Sequence, residues 1–169
     1  MSISYYSATV PVFKQMLLAL SDVLKKGEEY AQQRQFDPVA LLQSRLFPDM
    51  LPLVRQVQIG CDFAQSVPSR IAGLDVATYE DTEQSFSELQ NRILKTLEFI
   101  SAISTEQLDS TSVKEIVLRP GTPKEKKLTV EDYALKYGMP QFLFHVTTAY
   151  NILRHNGIAI GKKDFMGSY

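Results

Sequence analysis

The chain has 169 residues, 44% hydrophobic and 22% charged, the size and composition of one domain able to bury a sizeable core. A formal net charge of −1 gives no global pull toward nucleic acid or an anionic membrane surface. A single cysteine, Cys61, excludes an internal disulfide framework and a cysteine-rich zinc module.

The N-terminal segment MSISYYSATVPVF lacks the basic, apolar and small-residue regions of a secretion leader. Apolar stretches throughout are broken by charge or proline, well short of the roughly 20 residues that span a bilayer. A cytoplasmic protein with no membrane and no nucleic-acid partner is expected.

Four long segments carry a helical period. The first opens at Ser7 or Thr9 as cap, tolerates Pro11 in its first turn, and repeats Phe13, Met16, Leu17, Leu20 and Leu24 at steps of three and four, to about Arg34. A connection follows with a short helical piece at Leu41 and Leu42 and an FPD turn at 47–49. Asp49 is the expected cap of the second helix, whose buried face is Leu53, Val57, Cys61 and Ala64, with Pro68 ending or kinking it. Residues 73–82 read as a loop with Thr82 as the next cap. The third helix follows through Phe86, Leu89, Ile93, Leu97 and Ile100. Its acidic lead-in (Asp75, Glu80, Asp81, Glu83, Glu88) suits the positive end of a helix dipole.

Residues 113–119 alternate like a strand, PGTP at 120–123 turns, and KEKKLTV returns, so one β-hairpin or extended loop is expected. Thr129 with Glu131 and Asp132 starts another helix, broken at Gly138 and restarted at Pro140. It runs through Phe142, Val146, Ala149 and Leu153 and stops at Gly157. Residues 158–169 form a tail that docks on the bundle or on a second subunit. Four amphipathic helices with long connections predict an all-α four-helix bundle, with the hairpin inserted between helices three and four.

His145 is the most informative polar side chain. Gln141 and His145 lie one helical turn apart on the stripe that carries Ala149 and Ile152. An inward imidazole serves as ligand, general base or hydrogen-bond partner; a core histidine satisfied by a carbonyl or hydroxyl is the plainer alternative. Asp62, Cys61, Gln58 and Gln65 on the second helix are the potential partners. A zinc, nickel or manganese site normally takes three or more good donors, and here only His145, Asp62, Cys61 and the poor ligand Gln141 are on offer. His155 sits too far along the helix and reads as a dipole-capping residue. Cys61 lies on an apolar stripe, which favours a buried small hydrophobe over a thiol nucleophile paired with His145. No GxSxG, GxxxxGK[ST], GxGxxG or HExxH pattern occurs, which argues against serine hydrolases, nucleotide enzymes and common zinc proteases. Between Lys114 and Lys127 there are five basic and two acidic residues, a solvated hairpin or an exposed strand edge for a partner.

The segments HVTTAYNILRHNG at 145–157 and IGKKDFMG at 160–167 resemble a small uncharacterised family within the DinB-like superfamily. QVQIGCDFAQSVPSRIAGL at 56–74 and SFSELQNRILKTLEFI at 85–100 are similar to it too, so the likeness covers nearly the whole chain. It implies an up-down-down-up bundle, often homodimeric. It also implies a divalent metal held by one histidine of the second helix and an HxxxH pair of the fourth, used by some members for transfer or hydrolysis on small thiols. His145 matches the second histidine of that pair, Gln141 stands at the first, and Gln58, Asp62 or Cys61 stands nearest the third. The expected protein is thus a homodimeric bundle with a small-ligand pocket of His145, Gln141, Asp62 and Gln58. A divalent-metal transferase or hydrolase using His145 and Asp62 is the alternative.

Overall fold

The computed structural model describes residues 3–169; Met1 and Ser2, the start of the segment read for a leader, lie outside it. Helix α1 spans Tyr5–Arg34, α2 Val39–Leu42, α3 Leu53–Ala72, α4 Phe86–Ser101 and α5 Thr105–Asp109. Strands β1 (Glu115–Leu118) and β2 (Lys126–Thr129) follow, then a π-helical segment at Asp132–Gly138, α6 (Met139–His155) and a short α7 (Lys162–Met166). No helix is long and apolar enough to cross a membrane among the described residues.

Side-chain neighbours give the helix directions. Phe13 stacks edge-on against Phe142, and Gly27 lies against Leu153, so α1 and α6 run parallel. Gly27 also meets Phe86 while Ser21 bonds Gln90, so α1 and α4 are antiparallel. On α3, Gln56 meets His145 and Val67 meets Gly138, an antiparallel pair with α6. The coil 73–85 returns across the bundle so that α3 and α4 start at the same end. This is the up-down-down-up order, with the hairpin between the third and fourth long helices. The core is one cluster running through all four, from Phe13, Leu17 and Leu24 to Val57, Ala64, Leu89, Ile93, Phe142 and Ile152.

Helix ends depart from the expected positions in instructive ways. Helix α1 is capped by Ser4, not Ser7 or Thr9: Ser4 and Ser7 form a reciprocal box that satisfies two otherwise orphaned N–H groups. Pro11 therefore falls inside the helix rather than in its first turn. Pro52, not Asp49, precedes α3 in an extended conformation, and no side chain caps it. Pro68 is accommodated within α3, which continues to Ala72 and ends on Gly73 at φ 70°. Ser85, with Glu88 in a second capping box, takes the place expected of Thr82.

The hairpin pairs antiparallel, Glu115 opposite Thr129 and Leu118 opposite Lys126, and Ile116 anchors it in the core. Gly138 does not break the last helix. It has helical φ and ψ of −64° and −52°, and the π-helical segment runs directly into α6. Its missing side chain is used for packing, because a Cβ there would come within 2.4 Å of Val67 Cγ2 and 3.2 Å of the Tyr133 carbonyl. The tail docks on its own bundle: Gln15 donates to the Met166 carbonyl at 2.8 Å and Lys26 pairs with Asp164.

Alanine normally stabilises a helix interior over glycine by about 1 kcal/mol, so Gly138→Ala separates propensity from packing. Overpacking against the rigid, fully buried Val67 costs about 1–3 kcal/mol and should win. A fall in melting temperature of about 2–8 °C is expected, with part of the loss recovered when Val67→Ala is added.

Candidate functional site

Helix α3 presents polar side chains in two directions, and the expected site residues divide between them. Toward α6, His145 is 8% exposed, with Nδ1 2.7 Å from Gln56 Oε1. The Gln56 amide is itself oriented, because its Nε2 donates to the Leu51 carbonyl at 2.9 Å. Only its oxygen then faces the ring, so Nδ1 must carry the proton and donate. Nε2 is left as a bare lone pair. No protein group among the described residues meets Nε2, and it is not among the fully buried unpaired atoms, so it keeps access to solvent. Desolvation lowers the His145 pKa below its ordinary 6.5, which holds the ring neutral. Phe63 stacks parallel to it at 6.1 Å and the exposed Phe144 meets it edge-on at 5.3 Å. Gln141 is half-buried one turn earlier and makes no side-chain hydrogen bond among the described residues.

Toward α4, the hub is Arg92, whose side chain is 2% exposed. Its Nη2 reaches Asp62 at 2.6 Å and Asp81 at 3.4 Å; its Nη1 reaches Glu83 at 3.1 Å and the Glu80 carbonyl at 3.2 Å. Gln58 donates to Glu83 at 2.6 Å and accepts from Arg55 at 2.8 Å, and Arg55 pairs with Asp81. Thus Asp62 and Gln58 join a charge network that ties the coil 73–85 to two helices, while His145 belongs to Gln56. Asp81 and Glu83, read as helix-dipole acids, are instead counter-ions to arginines; Glu88 alone acts at the α4 N-terminus. Burial raises the Asp62 pKa, opposed by the hydrogen bond and charge of Arg92. Tyr79 lies over the guanidinium at 5.0 Å. The buried Arg92 Nε has no partner among the described residues, a loss of about 1–3 kcal/mol for such a donor.

Cys61 is 1% exposed, and burial pushes its thiol up to about 12 against a hydrogen bond to Thr96 and the charge of Arg92. It stays protonated and inert as a nucleophile. No three His, Cys, Asp or Glu side chains gather to hold a metal among the described residues. Around His145 the polar neighbour is an amide, and Asp62 is engaged by Arg92, so these side chains do not fit the ligand set a divalent ion requires.

Two side chains of the candidate site escape a sequence reading. Arg92 and Thr96 share the inner stripe of α4 with Leu89 and Ile93, and a charged residue at such a position is the signal that would have found the hub. Gln56 had no comparable signal, because its role depends on a carbonyl five residues away.

Comparison with known proteins agrees with the architecture. The family described as Domain of unknown function (DUF1993) matches residues 5–166. The crystal structure of a DinB family member protein from Shewanella denitrificans is 36% identical, with a TM-score of 0.90, covering 97% of this chain and 92% of that one. No curated protein matches the chain.

Removing the Arg92 guanidinium leaves Glu83, its side chain only 12% exposed, beside Asp81 and Asp62 without its counter-charge. Loss of one partner of a buried pair costs about 3–5 kcal/mol, and the partial exposure of Asp62 and Asp81 favours the lower end. Arg92→Met should therefore lose about 3 kcal/mol in urea unfolding, and adding Glu83→Gln should restore part of it. His145 gives a pH signature. Its pKa is lower folded than unfolded, so the unfolded chain binds the proton more readily and stability falls as pH drops below about 6.5 toward the folded value. Urea midpoints across that window should decline more steeply for the wild type than for His145→Gln.

Proposed function

Because this chain belongs to the DUF1993 family of domains of unknown function, we propose a role from its own side chains. It is a DinB-like bundle that binds a small uncharged molecule at His145, where the metal site of the wider superfamily has degenerated. The observation that carries the reading is the oriented relay from the Leu51 carbonyl through Gln56 to His145 Nδ1. A neutral ring with a fixed Nε2 lone pair accepts a hydrogen bond from a ligand hydroxyl or N–H. The faces of Phe63 and Phe144 offer an apolar wall, and the Gln141 amide offers a second polar contact within one turn. A homodimer and a cytoplasmic location belong to the same reading. Exposed Phe47, Leu51 and Phe144 support the dimer as apolar surface that a second copy would cover.

The alternative is a divalent-metal-dependent transferase or hydrolase acting on a small thiol. It needs anionic or imidazole donors where Gln56 and Gln141 supply amides, and no step is derived through a metal. The His155→Gln variant, which leaves His145 as the sole histidine, distinguishes the two readings. Diethyl pyrocarbonate should modify one ring at Nε2, with a rate that persists to lower pH than free imidazole allows, and phenol should protect it. Elemental mass spectrometry after incubation with zinc, nickel or manganese should find no stoichiometric ion. Near-stoichiometric metal that disappears in His145→Ala would overturn the proposal, as would a ring that resists modification. Light scattering should give twice the 19.1 kDa chain mass, and Phe144→Glu should shift the protein toward monomer.

A further inference from the structure

We propose that the outer edge of β1 docks an extended segment of another protein, a short apolar run with acidic residues at its ends. The segment joins the hairpin as a third strand. The sheet has two strands only, and β1 and β2 pair with each other along one edge. The main chain of residues 115–118 makes no hydrogen bond beyond that pairing among the described residues. In an antiparallel pair the N–H and C=O groups of successive residues point alternately toward the neighbouring strand and away from it. The outer edge of β1 therefore presents unpaired donors and acceptors, the template on which strand addition works.

The two edges of the hairpin are not alike. Natural edges are commonly guarded by lysine, and β2, KKLT, opens with the exposed Lys126 and Lys127. In β1, EIVL, three apolar residues follow a single charge, and the Glu115 carboxylate lies 3.9 Å from Lys127 across the hairpin. Ile116 is buried and Leu118 half-buried against the core, so apolar side chains at alternate positions of an added strand continue that face. The strand is only four residues long, because Arg119 at φ 51° followed by Pro120 ends it. Main-chain pairing over so short a run needs reinforcement, and the neighbouring charges decide its sign. Exposed Lys114 and Arg119 bracket β1, while Lys124 and Lys126 lie on the turn and on β2; none of the four has an ion pair among the described residues. Glu125, the other acid of the hairpin, accepts from the Gly121 N–H. On a chain of net charge −1 this is a local surplus of cations. Carboxylates at the ends of the added strand meet it, and basic ends would be repelled.

The probe is a fluorescein-labelled peptide with a core of alternating valine and threonine and a pair of aspartates at each end. It is titrated into the ¹⁵N-labelled full chain, with fluorescence polarisation for affinity and the Ile116, Val117 and Leu118 amides for location. Those amides should shift saturably. A peptide with lysine ends should bind at least about tenfold more weakly. So should the acid-ended peptide with its core amides N-methylated, which removes main-chain donors and keeps the charge. Lys114→Glu combined with Arg119→Glu changes exposed side chains only and should reverse the preference between acidic and basic ends. Lys162→Glu combined with Lys163→Glu, on α7, should leave that preference unchanged. The proposal is overturned if the β1 amides do not move, if either control peptide binds as tightly, or if the reversed variant still prefers acidic ends. Amides of β1 that are protected from exchange in the free protein and lose protection on dilution would mean that a second copy covers the edge, which also overturns it.

Discussion

A guanidinium removed from water must find its counter-charges inside the protein, and in this chain that constraint falls on Arg92. Desolvation of such an ion is costly enough that its partners cannot be left to chance. They come from two places: Asp62 on the neighbouring helix, and Asp81 and Glu83 on the coil that links α3 to α4. The coil has no regular structure of its own, and its path is set by these contacts together with Gln65 reaching the Ala77 carbonyl. Because the coil must return to the start of α3 to make them, α4 begins there too. The parallel middle pair of an up-down-down-up bundle is thus coupled to one buried charge.

The same helix carries the second polar feature on its other side. Gln56 and Phe63 look toward α6 while Gln58 and Asp62 look toward α4, so two polar regions are held apart by the apolar row of Val57, Ala64 and Ile71. This separation decides the chemistry available at each. Charge compensation dominates at Arg92, where Asp62, Asp81 and Glu83 are all engaged. At His145 the neighbours are an amide and aromatic rings, which stabilise a neutral imidazole and give a divalent ion little to bind. The orientation of the His145 ring is fixed by a glutamine.

Much of the architecture is legible in the sequence because it rests on period. Phe13 to Leu24, Leu53 to Ala64, Phe86 to Ile100 and Phe142 to Leu153 each mark a buried stripe, and alternation around Ile116 with PGTP marks the hairpin. The ends are less legible, since several residues compete to cap. Ser4 prevails over Ser7 because the two form a mutual box, and Ser85 prevails over Thr82 because Glu88 stands three residues on. Gly138 has two physical uses, helix breaking and close approach, and only the distance to Val67 tells them apart. For the site, the prominence of His145 on an inward stripe is readable, but its partner is not. One-turn spacing puts Gln141 beside it on the same helix, whereas the contact that fixes its tautomer comes from Gln56, 89 positions away. Asp62 and Gln58 lie close to Gln56 and Phe63 in sequence, yet at about 100° per residue they fall on the opposite side of the helix, toward Arg92.

Ring ¹⁵N spectroscopy of the intact protein reads directly whether His145 is neutral with the proton on Nδ1. At neutral pH Nδ1 should be protonated and Nε2 unprotonated, with both signals unchanged when zinc is added in excess. A ring protonated at Nε2, or an Nε2 signal that moves stoichiometrically with zinc, would contradict it.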